Sequence, residues 1–161
     1  MHLIIHSILS GIIAVTGIAN VHAEEYGRLP LHHAAMFAGV GVEESKQAHN
    51  ESGIALGLKY RLLFHPKWSI GADIEKLFGD GPDRSWVIAM PLSFYLTERW
   101  RLFLGPGYEI SDNHDKYLTR SGLAYEFEMS GGWSLAPEIV IDFISGGTTT
   151  YVAGIAVGYG F

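Results

Sequence analysis

Charged side chains recur at alternate positions along this 161-residue chain, and they are the groups best placed to do chemistry. A spacing of two puts side chains on one face of a β-strand. Acids and bases on one face can neutralise each other as ion pairs, line a polar path for water, protons or small ions, or hold a divalent cation. No spacing of hard ligands indicates a metal site. The positions are Lys59, Arg61, Asp73, Glu75, Arg101, Glu109, Arg120, Glu126, Glu128, Glu138 and Asp142.

The composition excludes several classes of protein. A net charge of −6 argues against nucleic-acid binding, which requires a basic patch. The absence of cysteine excludes a disulfide scaffold and a thiolate metal site. The chain is 48% hydrophobic with a mean hydropathy of +0.16, yet its apolar residues beyond the first 23 are dispersed rather than gathered into helix-length runs. This dispersion is typical of alternating strands.

The elements that position the charges are predicted as eight strands. Alternation is clearest in the last, where Tyr151, Ala153 and Ile155 interleave with Val152 and Gly154. Three of the connections, at residues 65–67, 97–99 and 130–132, are short, whereas those at 44–52, 79–84, 111–118 and 145–149 are longer and polar. Short and long connections alternate, as in an up-and-down barrel with turns at one end and loops at the other. The predicted strands are residues 32–43, 53–64, 68–78, 85–96, 100–110, 119–129, 133–144 and 150–161.

A weak internal repeat supports this plan. Trp68, Trp100 and Trp133 each open a predicted strand directly after a short turn, which places three indoles at one rim. Phe64 and Phe161 lie at the same end. An amphipathic aromatic ring at the headgroup level is typical of a membrane barrel, and we predict that these five residues form such a girdle. The alternative is a soluble sandwich that packs its tryptophans in a core.

The two faces of the predicted strands differ in polarity. One face is almost uncharged, with Leu56, Leu58 and Ile74 as examples, and its exception is Lys76 near a strand end. The other face carries the charged residues together with glycines. Apolar-out and polar-in is the membrane pattern, so the sequence predicts an all-β, eight-stranded antiparallel transmembrane β-barrel. Three prolines interrupt predicted strands, and we expect bulges or bends there. They are Pro91, Pro106 and Pro137.

The N-terminus reads as a separate segment. Residues 3–19 are mostly apolar, and the small-x-small sequence Val21-His22-Ala23 precedes two acidic residues. This pattern predicts a cleavable signal peptide over residues 1–23 and a barrel domain over 24–161. The segment before the apolar stretch has no Lys or Arg, which leaves the true start codon open.

The chain from residue 24 onward resembles the small eight-stranded outer-membrane β-barrel proteins of the OmpA-like or OmpX-like kind. Its last strand ends in Phe161, with Tyr159, Val157 and Ile155 at alternate positions, and so resembles the segment that barrel-assembly machinery recognises in that family. We expect a monomer in a Gram-negative outer membrane, without cofactor or metal. We also expect contact with outer-membrane lipids, including lipopolysaccharide.

We expect a structural or interaction protein whose interior is filled by the charged residues. A lipid-modifying hydrolase would need a serine activated by histidine, and the His-x-Ser pattern we sought on a late strand is absent after residue 23. The alternatives are a narrow pore for small solutes or ions and a lipid-binding or lipid-modifying barrel.

Overall fold

A computed structural model describes residues 29–45, 51–79, 85–111 and 115–161. The predicted signal peptide lies outside these residues and stays a prediction. Eight antiparallel strands make up nearly all of the described chain, with one 3₁₀ turn at Ser130–Gly132. The strands are β1 (His32–Ser45), β2 (Glu51–His65), β3 (Trp68–Gly79), β4 in two segments (Ser85–Ala89 and Leu92–Tyr95), β5 (Trp100–Ile110), β6 in two segments (Lys116–Tyr125 and Phe127–Glu128), β7 (Trp133–Ile144) and β8 (Thr148–Gly160).

The sheet closes on itself between its first and last strands. Each strand pairs with its sequence neighbours, and β1 also pairs with β8 from His33 opposite Gly160 to Ser45 opposite Thr148. His32 and Phe161 extend the seam through two backbone hydrogen bonds of 3.0 and 2.9 Å. This closure confirms the predicted eight-stranded up-and-down antiparallel barrel. No described residue belongs to a helix long and apolar enough to cross a membrane.

Several strands extend further than predicted, and the connections at one end are correspondingly shorter. β1 continues to Ser45, β6 begins at Lys116 and β8 begins at Thr148. The connection at residues 145–147 is a tight turn with glycines at positive φ, not the longer loop expected there. Backbone pairing continues past the point where side chains become polar, because polarity marks where the environment changes and not where the hydrogen-bonded ladder stops.

The expected bulges at the three prolines are absent. The register is the same before and after Pro91, and Pro106 and Pro137 lie opposite Thr119 and Ile155 in unshifted ladders. The carbonyls of Pro91 and Pro106 still accept bonds of 2.8 and 2.9 Å, from Gly71 N–H and Met90 N–H. Each proline therefore removes only a donor, and the strand tolerates that loss without an extra residue. The register shift that occurs lies between Leu63 and His65.

Inward and outward positions follow the predicted alternation, and the interior has an apolar side as well. Phe37 and Phe103 point inward and are almost fully buried. Each ring lies over a position without a side chain. A Cβ on Gly154 would come within 2.5 Å of the Phe37 ring, and one on Gly122 would overlap Phe103. Small and large residues on neighbouring strands thus fill the interior in pairs.

Candidate functional site: the charged interior

The barrel interior nearest the short turns holds two arginines around one carboxylate. Arg61 on β2 and Arg101 on β5 contact the same oxygen of Glu126, at 2.5 and 3.2 Å. Arg61 also donates to the Tyr95 hydroxyl at 2.5 Å. Glu126 is 5% exposed, so its charge depends on these two guanidinium groups and not on water.

The middle of the interior is bridged by Lys59 and Glu138. The Lys59 ammonium lies 2.5 Å from Glu138, which also accepts from Arg101 at 2.8 Å. Lys59 lies directly opposite Asp73 in the β2–β3 register, but at 3.9 Å this is its longest ion pair. The 2.5 Å contact with Glu138 instead joins β2 and β7, which are not neighbours in the sheet. Lys59 also sits 4.2 Å from the centre of the Phe37 ring, a cation–π geometry.

At the end of this network farther from the short turns, Arg120 on β6 connects β3 and β7. Its guanidinium donates two bonds of 2.7 and 2.9 Å to Glu75 on β3 and two of 2.9 and 2.8 Å to Asp142 on β7. A fifth contact of 3.4 Å reaches Asp73. Arg120 is fully buried. Paired donation of this kind fixes the orientation of both carboxylates as well as their charge.

Two of the charged residues predicted to face the interior, Glu128 and Glu109, are not part of the network. Glu128 is on the inner face opposite Ser134, but it is exposed at the short-turn mouth. Glu109 is buried, yet no cation of the described residues lies within ion-pair distance of it. Its register partners are Val87 and Lys116, and Lys116 lies two inward-facing positions beyond Arg120 on β6. Alternation correctly gives the face of both residues, and their depth separates them from the pairs.

Apolar side chains separate Glu109 from the network. Val87, Leu118 and Ile144 form a buried cluster, with Leu77 packed against it. Leu118 and Ile144 lie two residues beyond the Arg120–Asp142 pair on the same two strands. Below this layer, among the charges, a cavity of about 10 Å³ is lined by Lys59, Arg61 and Glu138, among others. That volume is at the limit for one water molecule.

A wider recess of about 380 Å³ opens at the short-turn mouth, lined in part by His33, Glu126 and Ser134. His33 Nε2 lies 2.8 Å from the Ser134 hydroxyl, and its Nδ1 lies 2.9 Å from Arg61. Because a guanidinium can only donate, Nδ1 accepts and the ring proton sits on Nε2, which donates to Ser134. This tautomer is the reverse of the one that a histidine general base needs.

The predicted girdle residues lie on the outer surface at the short-turn end. Trp68, Trp100 and Trp133 each pack against an aromatic ring on an adjacent strand, with ring centres 4.7, 4.8 and 5.4 Å apart. Those partners, which the predicted girdle does not include, are Phe94, Tyr125 and Tyr159. Phe64 and Phe161 are also exposed, and Phe161 stacks on His32 at 5.5 Å.

The comparisons with known proteins agree at the level of fold. No family model matches the chain, and no curated protein matches it. Among solved structures, Neisserial surface protein A is similar with a TM-score of 0.65 at 8% identity, covering 81% of this chain and 97% of that one. OprG of Pseudomonas aeruginosa gives 0.59 at 13% identity, covering 84% and 98%. Ail of Yersinia pestis gives 0.55 at 14% identity, covering 83% and 100%.

The chain has the fold of the small outer-membrane β-barrels. In an outer-membrane barrel an apolar band about 25 Å tall is flanked by aromatic residues at both interfaces. A second aromatic set, not predicted from the sequence, lies on the outer surface toward the other end. A signal was available, since these aromatics stand at the far ends of strands whose short-turn ends also carry an aromatic residue. They are Phe78, Trp86, Tyr108, Tyr117 and Tyr151.

The described residues offer little means to hold a metal ion. Within those ranges no three His, Asp or Glu side chains converge as a metal site would require. The buried carboxylates of the network are already engaged by arginine or lysine. The arrangement instead neutralises charge across the lumen and fills it.

Proposed function

We propose that the chain is an integral protein of the bacterial outer membrane, with a closed interior and a structural or interaction role. The observation that carries this is the interior network. Four cations contact five carboxylates there, and the cavity beside Lys59, Arg61 and Glu138 has a volume of only about 10 Å³. A hydrated ion needs a continuous path, and ion pairs that cross the interior around so small a cavity support a closed one.

Orientation and export form part of the proposal. The short turns face the periplasm and the other end faces the cell exterior, as in outer-membrane barrels generally. Export depends on the signal peptide predicted at residues 1–23. Assembly uses the last strand and the Phe161 that follows it, since Tyr159 and Phe161 are exposed on the outer surface, where assembly machinery can contact them. The barrel is proposed to act as a monomer in contact with membrane lipids and lipopolysaccharide.

A catalytic role is disfavoured by the geometry at the mouth. The nearest approach to a catalytic pair within the described ranges is His33 with Ser134, 2.8 Å apart. Arg61 occupies the ring nitrogen that an orienting carboxylate would contact in a triad. The serine hydroxyl therefore accepts a hydrogen bond from the histidine and is not deprotonated by it.

Single-channel recording of refolded protein tests the closed interior. Folding is first verified by the shift in gel mobility between unheated and heated samples, and a general porin refolded in the same detergent serves as the conducting control. We expect no conductance steps from the folded protein in a planar bilayer. Reproducible steps with a fixed amplitude would overturn the proposal in favour of a narrow pore.

A further inference from the structure

Lys76 is a charged residue on the lipid-facing surface. It lies on the outer face of β3, between Leu56 on β2 and Trp86 on β4. Its ammonium is 4.9 Å from the centre of the Trp86 ring and 5.4 Å from that of Phe78. Both rings are themselves exposed on the surface. The aromatic faces attract the cation but leave its charge uncompensated.

No described carboxylate lies within ion-pair distance of the Lys76 ammonium. The outward neighbours of Lys76 on its own and adjacent strands are apolar, with Ile54, Ile74 and Ile88 as examples. A lysine on the lipid face costs about 2–4 kcal/mol at the bilayer centre and almost nothing at the interface. The depth of Lys76 in the bilayer therefore decides whether its charge destabilises the barrel or can bind a lipid headgroup.

The position of Lys76 along β3 gives that depth. It lies eight residues beyond Trp68 in the short-turn girdle. A strand rising about 3.3 Å per residue and tilted by roughly 40° climbs about 20 Å over that distance. The apolar band is about 25 Å tall. The backbone of Lys76 thus lies just inside the far boundary, and its extended side chain reaches the headgroup level.

We propose that Lys76 and Trp86 form a binding site for the phosphate of one lipid in the leaflet at the long-connection end. The ammonium pairs with the phosphate, as lysine does with phosphate as a point charge. The Trp86 ring packs on the lipid below it and supplies an N–H donor at the same level. The site rests on the proposed membrane location and does not depend on whether the interior conducts.

Native mass spectrometry of the detergent-solubilised barrel tests the site, with lipid A and its dephosphorylated form as probes. We expect lipid A to be retained in preference to the dephosphorylated form. Lys76→Met should weaken lipid A retention about fivefold, the effect expected of one basic residue at a membrane surface, whereas Lys76→Arg should keep it. Lys67→Met, in an exposed turn at the opposite end, is the matched control and should retain lipid A like the wild type.

Each variant is first checked for folding by its gel shift. Equal retention by Lys76→Met and wild type would overturn the site, as would equal binding of the two lipids. A wild-type barrel that stays electrically silent but shows no preference would refute the site and leave the closed interior standing. Conductance steps from a barrel that still prefers lipid A would refute the closed interior and leave the lipid site standing.

Discussion

Glu126 and Glu128 show how two residues on the same face of β6 can differ in their contribution to stability. Glu126 is 5% exposed and shared by Arg61 and Arg101. Glu128, two positions on, is exposed at the mouth. A buried ion pair adds little stability over a well-packed apolar pair. Removing one member is costly, however, because the other charge is then buried without a partner. Only Glu126 therefore carries such a cost.

Glu126→Gln should lower the free energy of unfolding by about 3 kcal/mol, because Arg61 and Arg101 then lose the carboxylate between them. Glu128→Gln, with the same change in charge and size, should stay within about 0.5 kcal/mol of wild type. Urea titration in detergent, followed by tryptophan fluorescence, measures both. Matching unfolding midpoints for the two variants would show that the network does not stabilise the barrel.

At the scale of single residues, alternation predicts the face of a side chain but not its depth. This is why Arg120 and Glu75 could be assigned inward from sequence, while the isolation of Glu109 could not. The Lys59–Glu138 contact could not be predicted from the sequence either, since it joins strands that are not neighbours in the sheet. The buried rings of Phe37 and Phe103 break the rule of small or charged interior residues. The sequence feature that could have predicted these inward rings is the glycine on a neighbouring strand over which each ring lies.

Among the strands, β4 is interrupted at Met90 and Pro91 by missing donors. Gly71 N–H donates to the Pro91 carbonyl, and residues paired in this way normally exchange two bonds. Pro91 cannot return the second, so the Gly71 carbonyl loses its ladder partner. The same reasoning applies to Met90, which donates to the carbonyl of Pro106 but receives nothing back.

Pro91→Ala should restore the absent bond, because the register already places the new N–H opposite the Gly71 carbonyl. In this variant the amide at position 91 should exchange with solvent as slowly as the amide of Ile88 in the intact part of β4. Hydrogen exchange followed by NMR in lipid nanodiscs measures this. Rapid exchange of the new amide beside a protected Ile88 would mean that the strand bends away from β3 here for another reason.

The strands themselves were readable from sequence because their period of two extends over ten or more residues. The starts at Trp68, Trp100 and Trp133 agree with the structure, since each follows a tight turn with its own glycine, proline or polar residues. Polar ends such as Lys116 and Thr148 were read as loop. Their pairing depends on a neighbouring strand, which a local pattern does not reveal.

At the scale of the whole molecule, the four tryptophans report the orientation of the barrel. Trp68, Trp100 and Trp133 lie at the short-turn end, and Trp86 lies on the opposite half of β4, paired with Ile110 near the other end. In a membrane the two groups occupy opposite interfaces.

Variants that keep a single tryptophan should separate the two groups in sealed vesicles. Iodide added outside should quench either Trp86 alone or the other three alone, depending on how the barrel inserted. Trypsin cleavage at an exterior connection establishes the orientation independently. Strong quenching of all four in vesicles of one orientation would contradict a barrel that spans the bilayer.

The β1–β8 seam also constrains how the protein comes to exist. His33 pairs with Gly160, so one edge of the first strand stays unpaired until the last strand has been synthesised. Until then both strands carry open edges, which are templates for aggregation. Contacts this distant in sequence make folding slow, and no shorter intermediate satisfies every backbone group in lipid. The barrel therefore cannot close before its last strand has been synthesised, and both open edges have to be kept from pairing with other chains until then.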